Sequence, residues 1–209
     1  MRSDFPPSSR PSLVDPALTV GNLSGTPLVG ALEWFIQKHG NVAALDIVSK
    51  MPARWSGILK PNAPALGILG AKKYPYAFCG DLIRTAMLVA RIADEDSFVR
   101  EFAAAGIDAS VGTVARILLR YAATPESLAS RGQETWNIFH DAGRVAVHVT
   151  ENEYEVTITD WTNHDVMVCR ISMEVRRRLI ERSGRTVVDC RRDKCVAWGH
   201  PLCVVRLRW

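Results

Sequence analysis

The 209-residue sequence predicts an α+β fold, with an N-terminal helical layer packed on an antiparallel sheet built from a β-β-α-β-β C-terminal half. Three observations carry this. Up to about residue 142, apolar residues recur at helical spacing between Gly and Pro breaks. From Arg144 the period changes to two, in RVAVHVT and YEVTITDW, with ENE placed to turn between them. A second strand pair, TVVDC and CVVRLRW, closes the chain after one intervening amphipathic run.

The elements follow in order. Residues 1–24 are rich in Pro and Ser without apolar periodicity and read as a flexible N-terminal arm; residues 25–209 read as a single domain. In TPLVGALEWFIQKHG, Thr26 can cap, Pro27 suits the first helical position and Gly40 can stop the helix. Leu28, Leu32, Phe35 and Ile36 form its apolar stripe. A short helix is expected over 42–50, before Pro52. Residues 52–75 hold four prolines and Trp55, a long connection that either covers a pocket or crosses over structurally. Further helices are expected over 76–92, from Asp94 or Asp96 through Phe102 with Gly106 as terminator, from Ser110 through Tyr121, and over 125–140. Gly132 weakens the first half of the last one. Residues 165–182 return to helix, and Gly184 ends it.

Apolar residues make up 47% of the chain, enough for a substantial core, and the charged fraction of 23% is ordinary. Nothing approaches the roughly 18 consecutive apolar residues of a membrane span. The N-terminal stretch lacks the apolar core of a secretory signal, so a cytoplasmic location is expected. The net charge of +4 is unevenly placed, since the stretch from Arg170 to Trp209 carries eleven Lys or Arg against four Asp or Glu. Arg176, Arg177, Arg178 and Arg182 share a helix with Ile171, Val175, Leu179 and Ile180. That pattern reads as the exposed, solvated or partner-binding face of an amphipathic helix rather than a nucleic-acid site. No Gly-rich phosphate loop, HExxH, GxSxG or dinucleotide fingerprint occurs, so a non-enzymatic role is expected.

Five cysteines, an odd number, argue against a complete disulfide framework. Cys169 opens the helix at 165–182, Cys195 follows 26 residues later at a strand end, and Cys203 starts the closing strand 8 residues further on. This placement can bring three sulfurs to one end of a sheet. Structural zinc, plain burial of small apolar side chains, and a redox role are the three readings open to them. Cys79, between Phe78 and Gly80, reads as core. Cys169 with His164, or Cys195 with His200, are sequence neighbours too weak to define a catalytic pair. Phe78, Leu82, Tyr121, Trp136 and Phe139 supply the aromatic and apolar surface for a cavity between helices and sheet, or for ordinary core packing.

The helical half, the GRVAVHV hairpin, the Cys-led helix and the ending CVAWGHPLCVVRLRW together resemble the vinyl-reductase domain. That domain belongs to a small-ligand sensor superfamily that also holds the haem–NO-binding fold and the TRAPP subunits of Golgi trafficking. A set of myxobacterial paralogues of unknown function, with a helical front and a final strand ending in Trp, is similar too. The resemblance spans roughly residues 27–209, with its specific motif in the last forty or so. It implies that residues 25–209 are a ligand-binding domain of this kind, a bacterial sensory module that takes a small apolar or aromatic ligand and signals to a protein partner or within a homodimer. It also implies a structural zinc ion, which phenol-sensing members hold through an upstream Cys, a Glu and two late Cys. Cys169, Cys195 and Cys203 match the thiol positions. Arg192 stands where the Glu is expected, so Cys190 is taken as the fourth ligand, with Asp193 and His200 behind it. Met173 and Arg177 replace two glycines of the family's helix. The alternative is a protein-interaction scaffold of the same fold, with a filled core and the basic helix as its docking face.

Overall fold

The computed structural model describes residues 21–110 and 124–209. The expected helix from Ser110 through Tyr121 therefore lies mostly outside the described residues, as do residues 1–20 of the expected arm. The end of that arm is not loose. Asn22–Ser24 form β1, antiparallel to β2 (Lys73–Pro75), with Leu23 opposite Tyr74. Both of those side chains are buried, which a three-residue strand is too short to announce by periodicity.

Ser24 caps α1 (Gly25–Lys50), its side-chain oxygen accepting from the Thr26 N–H at 3.3 Å. Gly40, at φ 86° and ψ 166°, divides α1 into two arms in a conformation that L side chains rarely adopt. Next come α2 (Tyr76–Val89) and α3 (Glu95–Ser110). Gly106 does not terminate α3 as its residue type suggests. A Cβ there would sit 2.7 Å from the Pro27 carbonyl oxygen, so the glycine is the place where α1 and α3 cross at close range. Two short helices, α4 (Pro125–Ser130) and α5 (Gly132–Phe139), replace the single one expected over 125–140. The break falls where Gly132 backs onto Val147 of the sheet, whose methyl would lie 2.7 Å from an added Cβ.

The sheet comprises β3 (Arg144–Val149), β4 (Glu153–Thr159), β5 (Asp189–Lys194) and β6 (Cys203–Arg208), in the order β3-β4-β6-β5 with every pair antiparallel. The last strand is thus inserted beside β4, and Val147, Val156 and Val205 align across three strands. Alternate residues of β4 and β6, namely Tyr154, Val156, Ile158, Cys203, Val205 and Leu207, are buried against the helices. β5 starts later than its apolar run TVVDC suggests. It is an edge strand, and its polar sequence DCRRDK pairs while Val188 stays 73% exposed.

Between the two ribbons runs α6 (Val166–Arg182), capped by Asp165. Its arginines are not a free docking face. Arg178 and Arg182 both reach Asp108 of α3, Arg177 pairs with Glu181, and Arg170 is buried against Glu95 and Asp96. Arg176 turns inward, and the scaffold alternative loses the surface it needed.

Candidate functional site: a thiol–imidazole cluster beside an apolar cavity

Four side chains meet where the two ribbons end. His164 stands in the turn after β4, Cys169 on the first turn of α6, Cys195 just after β5, and Cys203 at the head of β6. Their ligating atoms all lie within 4.8 Å of one another. The local chain makes this convergence. Asp160 and Asn163, at φ 52° and 55°, reverse the backbone between β4 and α6 in the left-handed region that Asp and Asn tolerate best among L residues. Asp165 then accepts from the Met167 N–H at 2.7 Å and the Val168 N–H at 3.3 Å, which starts α6 with Cys169 facing the sheet.

The His164 Nε2 is 3.6 Å from both the Cys195 and the Cys203 sulfur, and the Cys169 and Cys203 sulfurs are 3.9 Å apart. That separation leaves all the thiols free of disulfides. Arg192 donates to the Cys195 sulfur at 3.4 Å while its guanidinium lies 4.7 Å from the Trp198 ring centre. The position where the resemblance expects an acid thus carries a charge that a thiolate favours. Hydrogen bonds from Cys169 and Cys203, aided by His164 and Arg192, pull the Cys195 thiol far below its ordinary value. Cys169, the donor partner, moves up. Burial works against the charged form of His164, but its bonds to Cys195 and Cys203 prevail and raise it to about 9. Chemically, the group is a thiolate held by an imidazolium and a guanidinium, or a four-donor nest for one soft cation.

Further along α6, towards its C-terminal end, lies an apolar cavity of about 90 Å³. Helices α1, α3, α5 and α6 surround it, and β3 and β4 floor it, with Leu28, Phe102, Trp136, Phe139, Val147 and Leu179 among its walls. His140 borders it too. Its ring lies on Trp136 at 3.6 Å with 7° between planes, and its Nδ1 meets the Tyr76 hydroxyl at 3.0 Å. Burial, with Arg176 and Lys73 adding to it, holds His140 well below its usual value, so the ring is neutral.

Of the five residues singled out for the cavity, Trp136 and Phe139 border it. Phe78 packs instead between Trp55 and Tyr74, with ring centres 5.5 and 5.4 Å away, and Leu82 is enclosed on the same helix. Neither belongs to the cavity wall, because α2 turns that face towards the 53–75 connection. Tyr121 lies outside the described residues. Among the cysteines, Cys190 needs correction. It sits within β5, five residues before Cys195, and takes no part in the cluster, where His164 holds the fourth place. His164 was weighed only as a partner of Cys169, and the turn that brings it to three sulfurs leaves no periodic signal. Arg176, expected on the exposed face, stands in the cavity wall, since helical spacing cannot tell a cavity from solvent.

No protein-family profile and no curated protein matches this chain. Among solved structures it has the fold of the haem–NO-binding (H-NOX) domains. A triple mutant of an S. oneidensis H-NOX protein in the Fe(II) state aligns with a TM-score of 0.67 and 10% identity, over 89% of this chain and 95% of that one. The unliganded Fe(II) H-NOX protein of K. algicida aligns with a TM-score of 0.65 and 14% identity, over 89% and 96%. A third, whose haem redox potential is modulated by porphyrin distortion, gives 0.56 and 11%, over 88% and 99%.

These neighbours correct the zinc expectation, since the metal that accompanies this fold in them is haem iron. The residues present here do not fit a haem either. A space of about 90 Å³ is well below the roughly 300–1,000 Å³ of pockets that take larger ligands. His140, the histidine in its wall, is stacked flat on Trp136 and hydrogen-bonded to Tyr76 rather than aimed at the centre.

Proposed function

We propose that this chain is a small-molecule-binding sensory module, nearer the vinyl-reductase branch of its fold than the haem-binding one. The observation that supports this most is the cavity. Side chains from both halves of the chain surround a space that close packing would ordinarily fill. Its apolar and aromatic wall suits a small apolar or aromatic ligand. Occupancy would act by shifting populations of the domain's conformations, read by a protein partner or a second copy of the chain. Buried, unpaired thiols suit a reducing compartment such as the cytoplasm. His164, Cys169, Cys195 and Cys203 are proposed as the ligand set of one thiophilic cation, which would pin α6 to the end of the sheet.

The test is ligand-dependent melting with small aromatic compounds. A ligand at a hundred times its dissociation constant adds about 2.7 kcal/mol to the native state. For a domain of this size that raises the midpoint by about 5–10 °C. A panel in which nothing moves the midpoint overturns the reading. For the cluster, elemental analysis of protein purified without chelators should find one equivalent of a thiophilic metal, lost in Cys195→Ser. Metal-free wild-type protein would remove that assignment.

A further inference from the structure

One residue of the cavity wall does not suit a purely apolar guest. Arg176 enters from α6, and its guanidinium stands 5.2 Å from the Trp136 ring centre. One terminal nitrogen donates to the Ser172 carbonyl oxygen at 2.9 Å and to the Ser172 hydroxyl. Every neighbouring arginine on the same helix has a carboxylate: Arg170 has Glu95 and Asp96, Arg177 has Glu181, and Arg178 and Arg182 share Asp108. Arg176 has none within 4.0 Å among the described residues. Of the undescribed stretches, 111–123 contains no Asp or Glu, and 1–20 contains Asp4 and Asp15. The groups of acidic character near Arg176 are the Tyr154 phenol and the thiols Cys169, Cys203 and Cys190.

A guanidinium stays protonated in proteins, and one half-buried in an apolar wall, as Arg176 is, without a counter-charge is costly to keep. Its fork matches a planar carboxylate in two-point contact. Resting on the cavity reading above, we infer that the ligand is a small carboxylate. Its anionic head sits on Arg176 beside the Ser172 hydroxyl, and its apolar body lies against Trp136, Phe139 and Phe102. The space limits the body. About 90 Å³ is less than the roughly 150 Å³ of an engineered apolar cavity that takes benzene. A short branched chain fits; a ring needs the wall to give, and a long acyl chain is excluded.

The experiment measures affinity of the full chain for benzoate and 3-methylbutanoate, each beside its neutral amide, by calorimetry and thermal shift. Wild type should bind the acids at least ten-fold more tightly than the amides. Arg176→Met should lose that preference while folding normally, because it removes a half-buried charge with no carboxylate beside it and roughly keeps the volume. Arg176→Lys keeps the charge without the fork and should fall between them. Should amides and acids bind wild type alike, with Arg176→Met unchanged, the carboxylate inference is wrong and the cavity reading stands. Should neither class bind, the cavity reading fails and takes the inference with it.

Discussion

Replacing Asp165 by Ala tests the joint on which the site depends. Its carboxylate is only 7% exposed and does three jobs at once. It accepts the first free N–H groups of α6 at 2.7 and 3.3 Å. It receives one terminal nitrogen of Arg84 at 3.1 and 3.0 Å. It also fills the space over Gly80, where an added Cβ would come within 2.4 Å of it. Loss of a cap costs about 1 kcal/mol. Loss of a charged hydrogen bond that is mostly shielded from water costs about 1.5–3 kcal/mol, towards the lower end here because Arg84 keeps Asp81 at 3.4 Å. The sum is about 3 kcal/mol. With a urea slope of about 2–3 kcal/mol per molar, the unfolding midpoint should fall by about 1–1.5 M. Asp165→Asn keeps an acceptor for the helix N–H groups and loses only the charge, so it should fall about half as far. The assay is equilibrium urea unfolding with excess reductant, followed by circular dichroism. A midpoint within about 0.2 M of wild type for Asp165→Ala would refute the reasoning. Equal losses in the Ala and Asn variants would show that capping contributes nothing.

Three further outcomes are expected. Ala103→Leu places a larger side chain in the cavity wall; it should abolish ligand-induced melting shifts while moving the unliganded midpoint by no more than a few degrees, and retained binding would put the ligand elsewhere. Gly106→Ala drives a methyl to 2.7 Å from a backbone oxygen, so chemical denaturation should show a loss of about 1–3 kcal/mol, the usual penalty for overpacking. His140 is held neutral when folded, so its proton enters only the unfolded chain as pH falls below the ordinary value of 6.5. Stability should therefore drop by up to about 1.4 kcal/mol per pH unit below about pH 6, and be untouched by this group above pH 7. His140→Gln should flatten that part of the profile, and an unchanged slope would dismiss the ring as its source.

The order of helices and ribbons was legible because it rests on local period, and a change from 3.6 to 2 near residue 143 survives any tertiary arrangement. Gly106 misled for an equally physical reason. A glycine that ends a helix and one that admits a neighbouring backbone look alike in one dimension, and only the nearness of Pro27 separates them. TVVDC misled because an edge strand owes little to burial, so polar residues pair there and the apolar stretch precedes it. The three sulfurs were legible through their positions at element ends. His164 was not, because its place depends on two left-handed residues in one turn.

What joins cluster and cavity is one stripe of α6. Cys169, Ser172, Arg176 and Leu179 follow one another at helical spacing, and seven residues of rise put about 10 Å between the Cα atoms of Cys169 and Arg176. The N-terminal end of that stripe is held by Asp165, Arg84 and the sulfur cluster, all part of the packed interior. Its C-terminal end is held to α3 by Arg178 and Arg182 on Asp108, an ion-pair group that is more than one-third exposed at Asp108 and so contributes little rigidity. Ile180, fully buried between those two arginines, keeps this end in the core as well, so α6 is anchored on both sides of the cavity and the proposed guest would sit between two fixed points.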